Sequence, residues 1–178
     1  MYSKLLALAL AASTFTSAIA KPTVYLIRHG EKPDDDDVTG LSEQGEERAQ
    51  CLRNVFGASS QYNIGYIMAQ TPKDNGKRDR PYLTVLPLSQ DLGLEVDTSC
   101  DRDDPECVKD AVDAYDGDGN VLICWEHDAL TDIVEELGVD KDDAPEYPDD
   151  SFDIIWTLPS PYDEVTSETS EECPGLDS

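Results

Sequence analysis

Two histidines occur in the chain, His29 and His127, and each closes a strongly apolar run. Val24-Tyr25-Leu26-Ile27 leads directly into Arg28-His29-Gly30-Glu31, and Val121-Leu122-Ile123-Cys124-Trp125 leads into Glu126-His127-Asp128. An imidazole beside a fixed guanidinium is suited to nucleophilic attack on an anionic centre. A glycine after it lets another group approach the backbone. The plain structural alternative for His29 is a strand-end side chain bonded to its own loop. A third segment, Gln70 to Pro81, concentrates positive charge as Lys73, Lys77, Arg78 and Arg80. Arginine presents a planar fork of donors to phosphate oxygens. Two such forks and a second imidazole would neutralise a phosphoryl group and stabilise charge on its equatorial oxygens during in-line transfer. The same cations favour a neutral His29 with a free lone pair.

The surrounding pattern supplies elements able to bring these residues together. The two apolar runs read as strands buried on both faces, as in parallel sheets. Tyr62 to Ala69 is a third strand, and Leu92 to Val96 is a short one. Phe152 to Leu158 reads as a last strand at the sheet edge. Helices are expected from Ser42, a good N-cap, through Phe56, and from Pro81 to a break or bend at Leu86-Pro87-Leu88. Two more are expected from Pro105 to Tyr115 and from Leu130 to Leu137, the latter closed by Gly138. Asp116 to Asn120 lacks the glycine and glutamate positions of a calcium loop and reads as a turn. The run Asp34 to Asp37 reads as a solvated loop. This β-α-β alternation predicts an α/β fold, a three-layer αβα sandwich with a mostly parallel central sheet. Ligands of such sheets sit at the carboxyl ends of the strands. His29, His127 and the Arg80 segment are therefore expected to converge there, with His127 at a helix N-terminus, itself an anion site.

Length and charge narrow the function. With 178 residues the chain has room for one domain. Its 13 Lys+Arg against 39 Asp+Glu give a formal net charge of -26. That excludes nucleic acid and anionic membranes as partners, since both need a basic footprint. Any phosphate site must carry its own local positive pocket. Residues 1–20 read as a secretory signal peptide: Lys4, the apolar run Leu5 to Ala12, and small residues ending at Ala20. The expected product is a secreted, extracellular protein with no membrane association after cleavage. In an oxidising compartment Cys51, Cys100, Cys107, Cys124 and Cys173 could pair. Cys100 and Cys107 flank a short polar turn and are the favoured pair, whereas Cys124, inside a strand, reads as a small buried hydrophobe. Residues 21–159 form the expected domain. Residues 160–178 read as an acidic mobile tail unless Cys173 ties them down.

The motifs in this order resemble the histidine phosphatase superfamily, the phosphoglycerate mutase-like fold. Arg28-His29-Gly30-Glu31 is similar to its RHGE signature. Gly40-Leu41-Ser42 with Gly45, Arg48 and Ala49 resembles its first-helix pattern. Arg80 with Thr84 resembles its second-arginine motif, with Arg78 as the alternative register. Cys124-Trp125-Glu126-His127 resembles its second-histidine strand end. The resemblance implies a phosphohistidine on His29 and a phosphate held by Arg28, Arg80 and His127, with no metal or other cofactor. It implies a small phosphorylated substrate. The acid that protonates the leaving group would be Asp128, which could equally be a helix N-cap; Glu31 and Glu126 are accessory candidates. Three functions follow: a secreted phosphomonoester hydrolase, a catalytically inactive phosphate-ligand-binding protein on the same scaffold, or, least favoured, a phosphotransferase or mutase. The oligomeric state is left open.

Overall fold

Parallel pairing of the two histidine-bearing strands organises the chain. In the computed structural model, which describes residues 21–35 and 37–177, the strands are β1 (Val24–Arg28), β2 (Ile64–Ala69), β3 (Val96–Asp97), β4 (Asn120–Trp125), β5 (Ile154–Leu158) and β6 (Ser167–Ser170). The helices are α1 (Glu43–Val55), α2 (Arg80–Leu92), α3 (Pro105–Ala114) and α4 (His127–Leu137). The sheet order is β3-β2-β4-β1-β5-β6. β3, β2, β4 and β1 are mutually parallel, and β5 and β6 add antiparallel strands beyond β1. This is the expected αβα sandwich. The predicted signal peptide, residues 1–20, lies outside the described residues. No helix among the described residues is long and apolar enough to cross a membrane.

Strand periodicity sorts the core into two faces. Val24, Leu26, Val121, Ile123 and Trp125 pack with Val108, Val112, Leu130, Ile133 and Val134 of α3 and α4. Ile27, Leu122 and Cys124 pack on the other face with Leu52 and Phe56 of the α1 segment and Val85 and Leu88 of α2. Cys124 is a buried free thiol, as its place in the strand suggests. The predicted Cys100–Cys107 pair is a disulfide.

Three expectations are corrected. α2 does not break at Pro87 but runs through it to Leu92, so the short strand is Val96–Asp97 rather than Leu92 to Val96. A helix-interior proline costs about 3 kcal/mol. Burial of Val85, Leu88 and Ser89 around it, with Gly93 in the left-handed conformation closing the helix, offsets that cost. The strand at 154–158 is not an edge: β6 pairs with it. The described part of the expected tail, residues 160–177, therefore does not stand apart from the domain. Cys173 is bonded to Cys51 of α1. Glu171 is buried against Arg48, whose side chain is fully buried.

The Arg48 cluster explains why so acidic a segment packs inward. Arg48 Nη1 donates to Glu171 at 2.6 Å and Asp177 at 3.2 Å, and Nη2 to the Leu176 carbonyl at 3.0 Å. Nε and Nη2 fork onto Glu31 at 3.0 and 2.7 Å. One guanidinium thus serves three acidic side chains. Burial, followed by the Asp177 and Asp153 charges, pushes the Glu171 carboxyl up to about 8 against the pull of Arg48.

Two outcomes are expected. The Cys51–Cys173 bridge spans 122 positions and Cys100–Cys107 spans 7. Chain entropy then assigns them about 5 and about 2 kcal/mol. Urea unfolding should show Cys51→Ser/Cys173→Ser losing more stability than Cys100→Ser/Cys107→Ser; the reverse order would contradict the anchored C-terminal segment. Because Glu171 binds its proton more tightly when folded, its contribution is full below pH 4.5 and is lost as pH rises toward 8. Glu171→Gln should flatten the decline in stability across that window, and an unchanged slope would refute the buried-acid account.

Candidate active site

The site begins where β1 ends. The His29 N–H donates to the Trp125 carbonyl at 3.0 Å, one residue beyond the Arg28–Trp125 register pair. The carboxyl ends of β1 and β4 therefore stand side by side, about 4.8 Å apart as neighbouring strands are. Next in the chain, the Gly30 N–H donates to Thr84 Oγ1, and that hydroxyl donates to the Arg80 carbonyl at 2.8 Å. The start of α2 is thereby pinned to the His29 loop. The N-terminus of α1 packs beneath the same loop: the Ser42 N–H donates to the Glu31 carbonyl at 2.9 Å. A Cβ on Gly45 would lie 2.4 Å from the Glu31 carbonyl oxygen, and one on Gly30 would lie 3.0 Å from that of Gly45. Gly45 is required by this close approach, and Gly30 sits tightly against it.

His29 is only 5 % exposed. Its Nδ1 lies 2.7 Å from the Gly30 carbonyl oxygen, which can only accept, so Nδ1 carries the proton and Nε2 holds the lone pair. Burial, reinforced by the Arg28 and Arg80 charges, pushes the imidazole down to about 4 despite that hydrogen bond. His29 is a neutral imidazole with a fixed tautomer across the physiological range.

Arg28 is also buried. Its Nη1 donates to the Asp149 and Ser151 carbonyls at 2.7 Å each and more weakly to Pro148. Its guanidinium carbon stacks 3.8 Å from the Phe152 ring centre. Its buried Nε has no hydrogen-bond partner among the described residues. Burial lowers its pKa, opposed by Tyr147, Glu126, Asp149 and Asp128. Arg80 approaches from the other side: Nε donates to the Gly40 carbonyl at 2.8 Å and Nη2 to Val38 at 3.2 Å. These bonds hold two of its three guanidinium nitrogens.

The end of β4 carries the acid-rich half. His127 opens α4, and Glu126, not Asp128, occupies the N-cap position, so the capping alternative for Asp128 is excluded. His127 Nε2 lies 3.1 Å from Asp149 Oδ1 and 3.3 Å from Asp128 Oδ1. Its Nδ1 is 2.8 Å from Glu126 Oε1 but out of line for a hydrogen bond, and that buried nitrogen is otherwise unpartnered among the described residues. The Asp128 side chain is 65 % exposed.

Of the predicted residues, Arg28, His29, Arg80, Glu126, His127 and Asp128 gather around the β1 and β4 ends. Two do not join them. Arg78 is held in an ion pair with Asp103 at 3.0 Å, and Asp103 in turn is bonded to Arg102. Glu31 points back into the Arg48 cluster, where burial of that guanidinium claims both its oxygens. Lys73 closes a backbone turn with Lys77. The sequence reading missed Arg102, whose Nε and Nη2 both donate to Glu126 Oε2, and the Asp149 to Phe152 stretch. The signal for Arg102 was its place inside the Cys100–Cys107 loop. For Asp149 and Phe152, in a loop far along the chain, none was visible. Ligand atoms of Glu126, His127 and Asp128 lie within 4.8 Å of one another, but the Arg102 guanidinium already occupies their negative charge.

No family model and no curated protein matches the sequence. Solved structures do match the fold. SixA from Agrobacterium tumefaciens aligns at 15% identity and a TM-score of 0.57, over 84% of this chain and 98% of that one. The protein histidine phosphatase SixA complexed with tungstate aligns at 16% identity and 0.54, over 84% and 97%. Phosphoserine phosphatase from Entamoeba histolytica, complexed with 3-phosphoglyceric acid, aligns at 12% identity and 0.56, again over 84% and 97%. The chain shares the fold of these phosphatases, the fold that the motif resemblance implied.

The buried, neutral His29 has a direct signature. NMR of 15N-labelled imidazoles should show His29 titrating near pH 4, with Nδ1 protonated above that value. The unfolded chain takes up this proton first, near 6.5, so stability should fall as pH drops from 6.5 toward 4. A His29 inflection near 6.5 would contradict the geometry.

Proposed function

We propose that this chain is a secreted phosphomonoester hydrolase that works through a phosphohistidine on His29. The observation that carries the reading is the His29 tautomer. Nδ1–H is committed to the Gly30 carbonyl, and the free Nε2 lone pair belongs to a ring kept neutral beside two arginines. That is a nucleophile matched to a phosphoryl centre. In the proposed reaction Arg28, through its unpartnered Nε, and Arg80 and His127 bind the phosphoryl oxygens of a small phosphorylated substrate. Nε2 attacks phosphorus in line, the P–O bond to the leaving group breaks, and Asp128 gives that oxygen a proton. Water then attacks the phosphohistidine, Asp128 takes the water proton, the P–N bond breaks, and orthophosphate leaves with His29 restored.

Asp128 is favoured as the acid because its competitors are occupied. Glu31 is forked onto Arg48. For Glu126, burial acts to raise the pKa but the Arg102 hydrogen bonds and charge outweigh it, so the carboxyl is held below its ordinary value and ionised. Asp128 is the exposed carboxyl at the strand end with room to exchange a proton. The fold neighbours support the reading, since one is a phosphoserine phosphatase and another a protein histidine phosphatase. Secretion is supported by the leader-like N-terminus and the two disulfides. One observation favours the second reading, a phosphate-binding protein without turnover: Asp128 lies 3.3 Å from His127 Nε2 and 3.7 Å from Arg102 Nη2, neighbours that favour its ionised form over a proton donor.

With a generic aryl phosphate, His29→Ala should lower kcat by at least about a thousandfold, as loss of a nucleophile does. Acid quenching during turnover should trap a phosphorylated His29, and Asp128→Asn should slow its formation from alkyl phosphates more than from aryl ones. Equal turnover by His29→Ala and the unaltered chain would refute the proposal. Phosphate binding without turnover would favour the binding-protein reading.

A further inference from the structure

Arg102 stands at the edge of the site on a loop fixed from three directions. The Cys100–Cys107 disulfide closes the loop. The Cys100 carbonyl accepts from the Thr71 N–H at 2.9 Å, just past β2. The Arg102 carbonyl accepts from Trp125 Nε1 at 3.0 Å, at the tip of β4. The guanidinium so placed forks onto Glu126 Oε2, donates through Nη1 to Asp103, and lies 3.7 Å from Asp128 Oδ2. The Glu126 main chain is pinned as well, its backbone N–H donating to the buried Gln70 side chain at 3.1 Å. Its second oxygen rests 2.8 Å from His127 Nδ1.

This places a carboxylate within the field of the groups proposed to hold an anion. His29, Arg28 and His127 all feel the Glu126 charge. Left alone, a half-buried carboxylate there would either oppose a phosphate dianion or take up a proton. We infer that Arg102 is a positioning residue of the anion site: it holds Glu126 as a compensated carboxylate beside His127, so that the charge of Glu126 does not oppose bound phosphate. The inference rests on the anion-site reading above and adds a residue to it. Arg102 acts through Glu126 rather than on the phosphate.

A thermodynamic cycle separates this role from direct contact and from loss of structure. Binding of inorganic phosphate to the full chain is measured by calorimetry from pH 4 to 8 for the unaltered protein, Arg102→Met, Glu126→Gln and the double variant. Arg102→Met removes hydrogen bonds to a charged group, and about tenfold weaker binding at pH 7 is expected. The groups facing Glu126 are Arg102, with Asp103 and Asp128 beyond it, His127 on its own helix, and His29 and Arg28 from β1. Without Arg102 the Glu126 carboxyl loses its main cation and its pKa rises. The defect should therefore shrink as pH falls and Glu126 takes up a proton, and Glu126→Gln should restore most of the lost affinity. A pH-independent defect, or no rescue in the double variant, would overturn the inference, as would an Arg102→Met protein that binds phosphate normally. Failure of the unaltered protein to bind phosphate at any pH would contradict the anion-site reading itself, and this inference with it.

Discussion

The hydrogen bond from the His29 N–H to the Trp125 carbonyl is the last rung between β1 and β4, and the site depends on it. Parallel strands in register end at the same level. Once Arg28 lies opposite Trp125, the residues that follow each strand emerge at one edge of the sheet. His29 and His127, nearly a hundred positions apart, become neighbours by topology alone. A slip of one residue would turn His29 toward the opposite face. The alternating burial of Val24, Leu26 and Ile27 against two different helix layers makes such a slip costly.

Around that rung the chain has solved an electrostatic problem set by its own composition. A protein this acidic repels anions at long range. Glu126 at the site is paired with Arg102, and Glu31 behind it with Arg48. Arg28 and Arg80 remain next to His29 and are anchored through backbone carbonyls, which position a guanidinium without cancelling its charge. Desolvation does the rest by holding His29 neutral. The Arg48 cluster ties the same loop, through Glu31, to the C-terminal segment and its disulfide. The back of the site and the end of the chain thus share one buried cation.

Much of this was legible from residue order. Apolar runs ending in His29 and His127 gave the strands, and Ser42 marked the start of α1, where it caps the helix. The Cys100–Cys107 pair was readable because only six residues of polar turn separate those thiols. What escaped prediction was non-local. Glu31 follows Gly30 directly, yet its partner is Arg48, one and a half turns into α1, and only the docking of α1 under the loop reveals it. Arg78 and Arg80 are two apart, and no pattern says which of them turns toward the site. The C-terminal segment looks disordered by composition, since Ser, Thr and Glu dominate it. Its strand exists because β5 offers an open edge and because Cys51 and Arg48 supply fixed points. Pro87 misled for a related reason: tertiary burial of α2 outweighs a local helix-breaking preference.

The most direct measurement of the central claim is a crystal structure of the protein with tungstate, a tetrahedral oxyanion of phosphate charge. The arrangement of His29, Arg28 and His127 predicts the metal atom in line with His29 Nε2, with an oxyanion oxygen in hydrogen-bonding reach of Arg28 Nε. Tungstate bound elsewhere, or a His29 ring whose Nδ1 rather than Nε2 faces the anion, would contradict it.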